Sequence, residues 1–168
     1  MTRWRFEPLY LLRVESIFPN LKSEGYQPTS AMEPCYNCLA WAAGDTNRYW
    51  SPVPGERDPS RTVELYEEYW PPCAPPENTL EAWSKALATA GFTPCATPYP
   101  EDGFEKLAIY LDEARVPQHV ARQLPNGKWT SKLGDDLDLE HNSLRALEGD
   151  CYGSATAFMK RRISRVRS

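Results

Sequence analysis

Apolar and polar positions follow two different periods along this chain. From Asn78 to Gly91, the residues Leu80, Trp83, Leu87 and Ala90 recur at helical spacing. The pattern predicts a helix with Asn78 as cap, Glu81 completing a capping box and Gly91 beyond the end. Upstream, Leu39, Ala40, Trp41, Ala42 and Ala43 follow Asn37, a good N-cap, and stop at Gly44. A helix apolar on nearly every side is a buried one, so this element is expected at the centre. After residue 103 the period shortens. FEKLAIYL (104–111), QHVARQL (118–124) and KWTSKL (128–133) are short runs joined by turn residues, which predicts an antiparallel meander.

The flanks carry weaker patterns. Residues 3–34 predict one short helix or strand and an irregular approach. Residues 51–78 hold seven of the sixteen prolines around TVELYEEYW, read as a short charged helix in a surface excursion. The proline pairs at 71–72 and 75–76 exclude helix interior and central strand there. DLEHNSLRALEG predicts a short helix, and CYGSATAFMKRR a closing strand or helix. Helices first and strands second make the expected class α+β, a central buried helix packed against a small antiparallel sheet. The whole of 1–168 is read as one domain ending in a basic tail at 160–168.

Composition narrows the function. Hydrophobic residues at 41% argue for a globular chain, and a net charge of −4 argues against general nucleic-acid binding. No apolar run approaches the ~20 residues of a membrane span, and the N-terminus carries charges through its apolar part, unlike a secretory signal. Five cysteines, an odd and irregular set, fit a reducing cytoplasm better than a disulfide framework. Delivery by a secretion system stays open. No cofactor or metal is implied, and the oligomeric state is not readable.

Cys38 heads the apolar helix, where the macrodipole and free N–H groups favour an anion. A nearby imidazole would hold its proton. One of the two histidines, His119, opens a strand of the meander. Pro125-Asn126-Gly127 suits a type I turn closed by a left-handed glycine, a three-residue loop that pairs Leu124 with Lys128. That register puts His119, Ala121 and Gln123 on one face with Trp129, Ser131 and Leu133. Arg122, Lys128, Thr130 and Lys132 fall on the other face, which reads as solvated. The His119 face is therefore expected to meet the central helix.

A cysteine at a buried helix start, followed about eighty residues later by a histidine opening a Gly-turned hairpin, resembles the papain-like cysteine hydrolases of the NlpC-type branch. Asn37-Cys38-Leu39-Ala40 stands where that branch has Asp-Cys-Ser-Gly. His119-Val120-Ala121-Arg122 stands for His-Val-Gly-Ile-Tyr. The resemblance implies Cys38 as nucleophile and His119 as base. It puts Ser131 in the third, orienting place, with Asp135, Asp136 or His141 as replacements. The oxyanion would be met at the Cys38 N–H, with a second donor from Tyr36 or Asn37. The implied activity is a thiol hydrolase or acyltransferase on a peptide, protein or peptidoglycan-like amide, including peptide cleavage, deamidation and transglutamination. Two alternatives stand beside it: a catalytically inactive domain of the same kind used for binding, and a zinc-stabilised structural domain using Cys35 and Cys38.

Overall fold

The computed structural model describes residues 8–30, 35–53, 67–133 and 137–164. Helix α1 (Pro8–Ile17) and the single turn α2 (Leu21–Glu24) lead into strand β1 (Tyr26–Pro28). Helix α3 (Cys38–Ala43) follows, then β2 (Arg48–Trp50) and β3 (Glu67–Tyr69), which pair parallel to each other. Helix α4 (Leu80–Ala88) precedes β4 (Thr93–Cys95), β5 (Phe104–Leu111), β6 (Pro117–Gln123), β7 (Trp129–Lys132) and β8 (Asp138–His141). A 3₁₀ turn (Leu144–Leu147) and β9 (Ser154–Arg162) complete the described elements.

The dominant feature is one seven-stranded sheet in the order β1-β8-β7-β6-β5-β9-β4, antiparallel at every pairing. The expected architecture, a central helix against a small sheet, is therefore corrected: this is a β-rich fold whose helices are short cover. The expected helix over DLEHNSLRALEG begins instead as a strand, because Asp138–His141 pairs with β7 on one side and β1 on the other. Glu67–Tyr69, expected within a charged helix, is a strand as well. Residues 54–66 of the proline-rich excursion lie outside the described residues. Lys160–Arg162, expected to open a basic tail, is the end of β9.

Local chemistry at the two helices explains where they start. Asn37 caps α3, its Oδ1 accepting from Ala40 N at 3.1 Å, while its Nδ2 donates to Trp50 O at 2.7 Å and ties the helix to β2. At α4 the cap is Thr79 rather than the expected Asn78; Thr79 Oγ1 accepts from Ala82 N at 3.1 Å. Asn78 Oδ1 instead accepts from Trp83 Nε1 at 2.8 Å.

The sheet is buried on both faces. Leu107, Ile109, Leu111, Val120 and Met159 project to one side and meet Cys38, Leu39 and Ala42 of α3 and Trp83, Ala86 and Leu87 of α4. Ala108, Tyr110, Ala121, Trp129 and Leu139 project to the other side, under Val14, Phe18, Leu21 and Leu147. Each large apolar side chain so buried contributes about 1.5–3 kcal/mol. LAIYL in β5 is nearly continuously apolar because alternate residues serve two cores. No helix among the described residues is long and apolar enough to cross a membrane.

Candidate functional site

The hairpin on which the site depends has the three-residue loop. Leu124 N donates to Lys128 O at 2.8 Å, Gly127 N donates to Leu124 O at 2.9 Å, and Gly127 takes the left-handed φ of 84°. Arg122 pairs with Thr130 and Gln123 with Trp129, which sets Ala121 against Ser131. His119 and Ser131 therefore project from the same face of neighbouring strands, two rungs apart on the diagonal. Long side chains reach across that diagonal. His119 Nε2 stands 2.9 Å from Ser131 Oγ.

The chain of contacts continues. Ser131 Oγ lies 2.8 Å from His141 Nε2 on β8, and His141 Nδ1 lies 2.8 Å from the Ser143 carbonyl oxygen. All three side-chain residues are wholly buried, at 0% exposure. A carbonyl only accepts, so His141 carries its proton on Nδ1. Burial lowers its pKa to about 4, against a partial rise from the Ser143 bond, so the ring is neutral and Nε2 is bare. The Ser131 hydroxyl then donates to His141 Nε2 and accepts from His119 Nε2–H. His119, held well below the ordinary histidine range by burial and then by His141, is left with a bare Nδ1. That nitrogen has no partner among the described residues. The bonds thus run in one direction, from β6 through β7 to the turn after β8.

Aromatic rings enclose the start of this relay. The Tyr152 ring stacks on His119 at 4.3 Å with the planes 3° apart, and Tyr110, its cross-strand neighbour, lies 5.4 Å away. Tyr152 reaches that position because the chain passes tightly over the end of β5. A Cβ on Gly153 would stand 2.0 Å from the Leu111 carbonyl oxygen, so only glycine fits, at φ 77°.

Cys38 is elsewhere. Its sulfur belongs to the cluster that contains Val120, the residue after His119, and successive residues of a strand project to opposite faces. Cys38 thus lies on the α3 side of the sheet and the His119 ring on the α1 side. Among the described residues no hydrogen bond joins the two. The structure thus does not bring the expected nucleophile and base together; they lie on opposite faces of the sheet. Burial pushes the Cys38 thiol up to about 11, while the N–H groups of Val120, Leu39 and Cys38 itself, and the charge of Lys132, pull it partly back. At neutral pH it is a protonated thiol.

The expected oxyanion residues are engaged as well. The Asn37 amide is committed to Ala40 and Trp50. The Tyr36 hydroxyl donates to Asp138 Oδ2 at 3.1 Å and its ring stacks on Trp41 at 5.8 Å. Of the replacements for Ser131, His141 joins the relay; Asp135 and Asp136 lie outside the described residues. No group of three or more His, Cys, Asp or Glu side chains that could hold a metal ion converges among the described residues, so Cys35 and Cys38 gain no further ligands there.

The face expected to be solvated is the one that meets α3. Lys132, at 0% exposure, holds its ammonium 5.2 Å from the Tyr36 ring centre. Arg122 pairs with Glu105 and lies 5.9 Å over Trp41. Long basic side chains bury their stems while aromatic rings receive their charge. Lys132 and its cross-strand partner Asp138 are two buried charged residues that sequence reading missed; a strand reading WTSK with three polar positions gives no sign of burial on both faces.

Fold and site together define a β-rich domain with a sealed imidazole–hydroxyl–imidazole relay on one face and a capped cysteine helix on the other. The chain belongs to the family described as a domain of unknown function (DUF7689), whose model matches residues 27–160. No curated protein and no solved structure matches it.

Proposed function

We propose that the domain acts by binding a peptide or protein, without amide chemistry at Cys38. One observation carries this reading: the thiol and the imidazole expected to activate it project from opposite faces of the same sheet. A thiol pushed up to about 11 is a poor nucleophile at neutral pH without a base in reach. The relay offers no second catalytic route. Ser131 does resemble an activated serine, with His141 as base and the Ser143 carbonyl as orienter. Yet Ser131, His119 and His141 have no exposed surface, so no substrate carbonyl reaches the hydroxyl. The relay is read as structural, a polar spine fixing three strands in register.

Iodoacetamide labelling of the native protein, followed by peptide mapping, tests this. Cys73 and Cys151, both exposed, serve as internal references. Cys38 is expected to label more slowly than either, at a rate that His119→Ala leaves unchanged in protein that remains folded. Preferential alkylation of Cys38 that disappears in His119→Ala overturns the reading and restores a thiol hydrolase.

A further inference from the structure

A second cysteine, Cys95, has a lysine ammonium in direct contact with its sulfur. Cys95 ends the edge strand β4 and pairs with Phe158 of β9, whose other neighbour at that level is Ala108 of β5. Lys106 lies two residues before Ala108 on β5. The alternation of β5 puts its side chain on the same face, diagonally across β9 from Cys95. Lys106 Nζ stands 3.8 Å from Cys95 Sγ. The lysine side chain is only 2% exposed, while Cys95 is half-buried and open to small solutes.

The Lys106 ammonium is held in place from three directions. It donates to Thr97 O at 3.3 Å, pairs with Glu101 Oε2 at 2.9 Å and faces the sulfur. Glu101 is itself fixed by Lys160 at 2.8 Å. The Cys95 thiol points its own hydrogen toward Thr97 O at 3.6 Å. A nitrogen and a sulfur are thus fixed side by side, with the sulfur accessible and the nitrogen sheltered.

We propose that Cys95 and Lys106 form a peroxide-responsive modification site, in which oxidation of the sulfur is captured by the lysine as a covalent S–N bond. The thiol first releases its proton to water. The thiolate attacks one oxygen of hydrogen peroxide; the S–O bond forms, the O–O bond breaks, and sulfur is oxidised to the sulfenic acid as peroxide is reduced. The departing hydroxide takes a proton from the Lys106 ammonium and leaves as water. Lys106 is now a neutral amine beside an electrophilic sulfur. Its nitrogen attacks, the S–N bond forms, the S–O bond breaks, and the second hydroxide leaves as water with a proton from nitrogen. Thiolate, ammonium and one peroxide become one sulfenamide and two waters. The product ties edge strand β4 to β5 across β9, and a thiol reductant reverses it.

Hydrogen peroxide added to the folded protein, with peptide mapping by mass spectrometry, tests the site. Cys95 is expected to oxidise several-fold faster than Cys73 and Cys151, although both of those are exposed. The Cys95 and Lys106 peptides are expected to appear as a linked pair lighter than their sum by two hydrogens, and to separate on reduction. Lys106→Arg keeps the positive charge but cannot condense, so it should accumulate dimedone-reactive sulfenic acid at Cys95 with no link. Lys106→Met should lose the rate advantage too. Circular dichroism establishes that each variant is folded, and the wild-type peptide map is decisive even if neither folds. Oxidation of Cys95 no faster than the exposed cysteines, or sulfenic acid in the wild type with no linked pair, overturns the proposal.

Discussion

The two faces of the sheet solve the same burial problem in opposite ways. Toward α3 and α4, long basic side chains pack against rings: Lys132 rests against Tyr36 and Arg122 over Trp41. Toward α1, the polar groups are neutral and satisfied by one another, His119 to Ser131 to His141 to the Ser143 carbonyl. The difference teaches where pH acts. A neutral buried imidazole holds only while it stays unprotonated.

Acid should therefore separate the faces most strongly. Both imidazoles titrate below the ordinary histidine value of 6.5 in the fold, so the unfolded chain takes up protons first as pH falls. The stability they contribute is complete above about pH 6.5. For His141 it is lost on the way down to about pH 4, and for His119 it is lost as pH falls through its own lowered value. His141 alone accounts for roughly 3 kcal/mol across that window. Urea unfolding between pH 7 and pH 4 measures it, and His141→Gln should flatten the slope.

Ser131→Ala should have the next largest effect, about 2–3 kcal/mol by the shift of the urea midpoint at pH 7. It leaves a donor on His119 and an acceptor on His141 unsatisfied where water cannot reach. A loss of only a few tenths would mean the relay carries no stability. On the opposite face Arg122→Ala should cost about 1 kcal/mol, combining the Glu105 pair with the contact over Trp41. That cost should be the same at pH 7 and pH 5, unlike the cost on the histidine side.

What was legible in the sequence was local. Pro125-Asn126-Gly127 specifies its own turn, and the turn fixes which residues of β6 and β7 share a face. Asn37 and Gly44 mark the ends of α3 by capping chemistry that needs no distant partner. Which face meets α3 is not local. Val14, Phe18 and Leu21 recur at helical spacing near the N-terminus and cover the His119 side, which leaves α3 the side with Arg122 and Lys132. Those two residues read as solvent-facing because their charges hide the long apolar stems that make the packing.

β8 failed to read as a strand for a related reason. Asp138-Leu139-Glu140-His141 has one aliphatic residue in four, and its conformation comes from pairing with β7 and β1. The Cys95–Lys106 pair is hidden more deeply. It depends on two strands being held apart by a third that comes some fifty residues later in the chain.

The central claim, that the His119 ring belongs to the relay and not to the thiol, is tested most directly by ¹⁵N spectra of the histidine side chains from pH 4 to 9. The account predicts two neutral imidazoles at pH 7, His119 protonated at Nε2 and His141 at Nδ1, with His119 unmoved when Cys38 is replaced by alanine. An imidazolium at His119 near neutral pH that vanishes in Cys38→Ala would reveal a thiolate–imidazolium pair and contradict it.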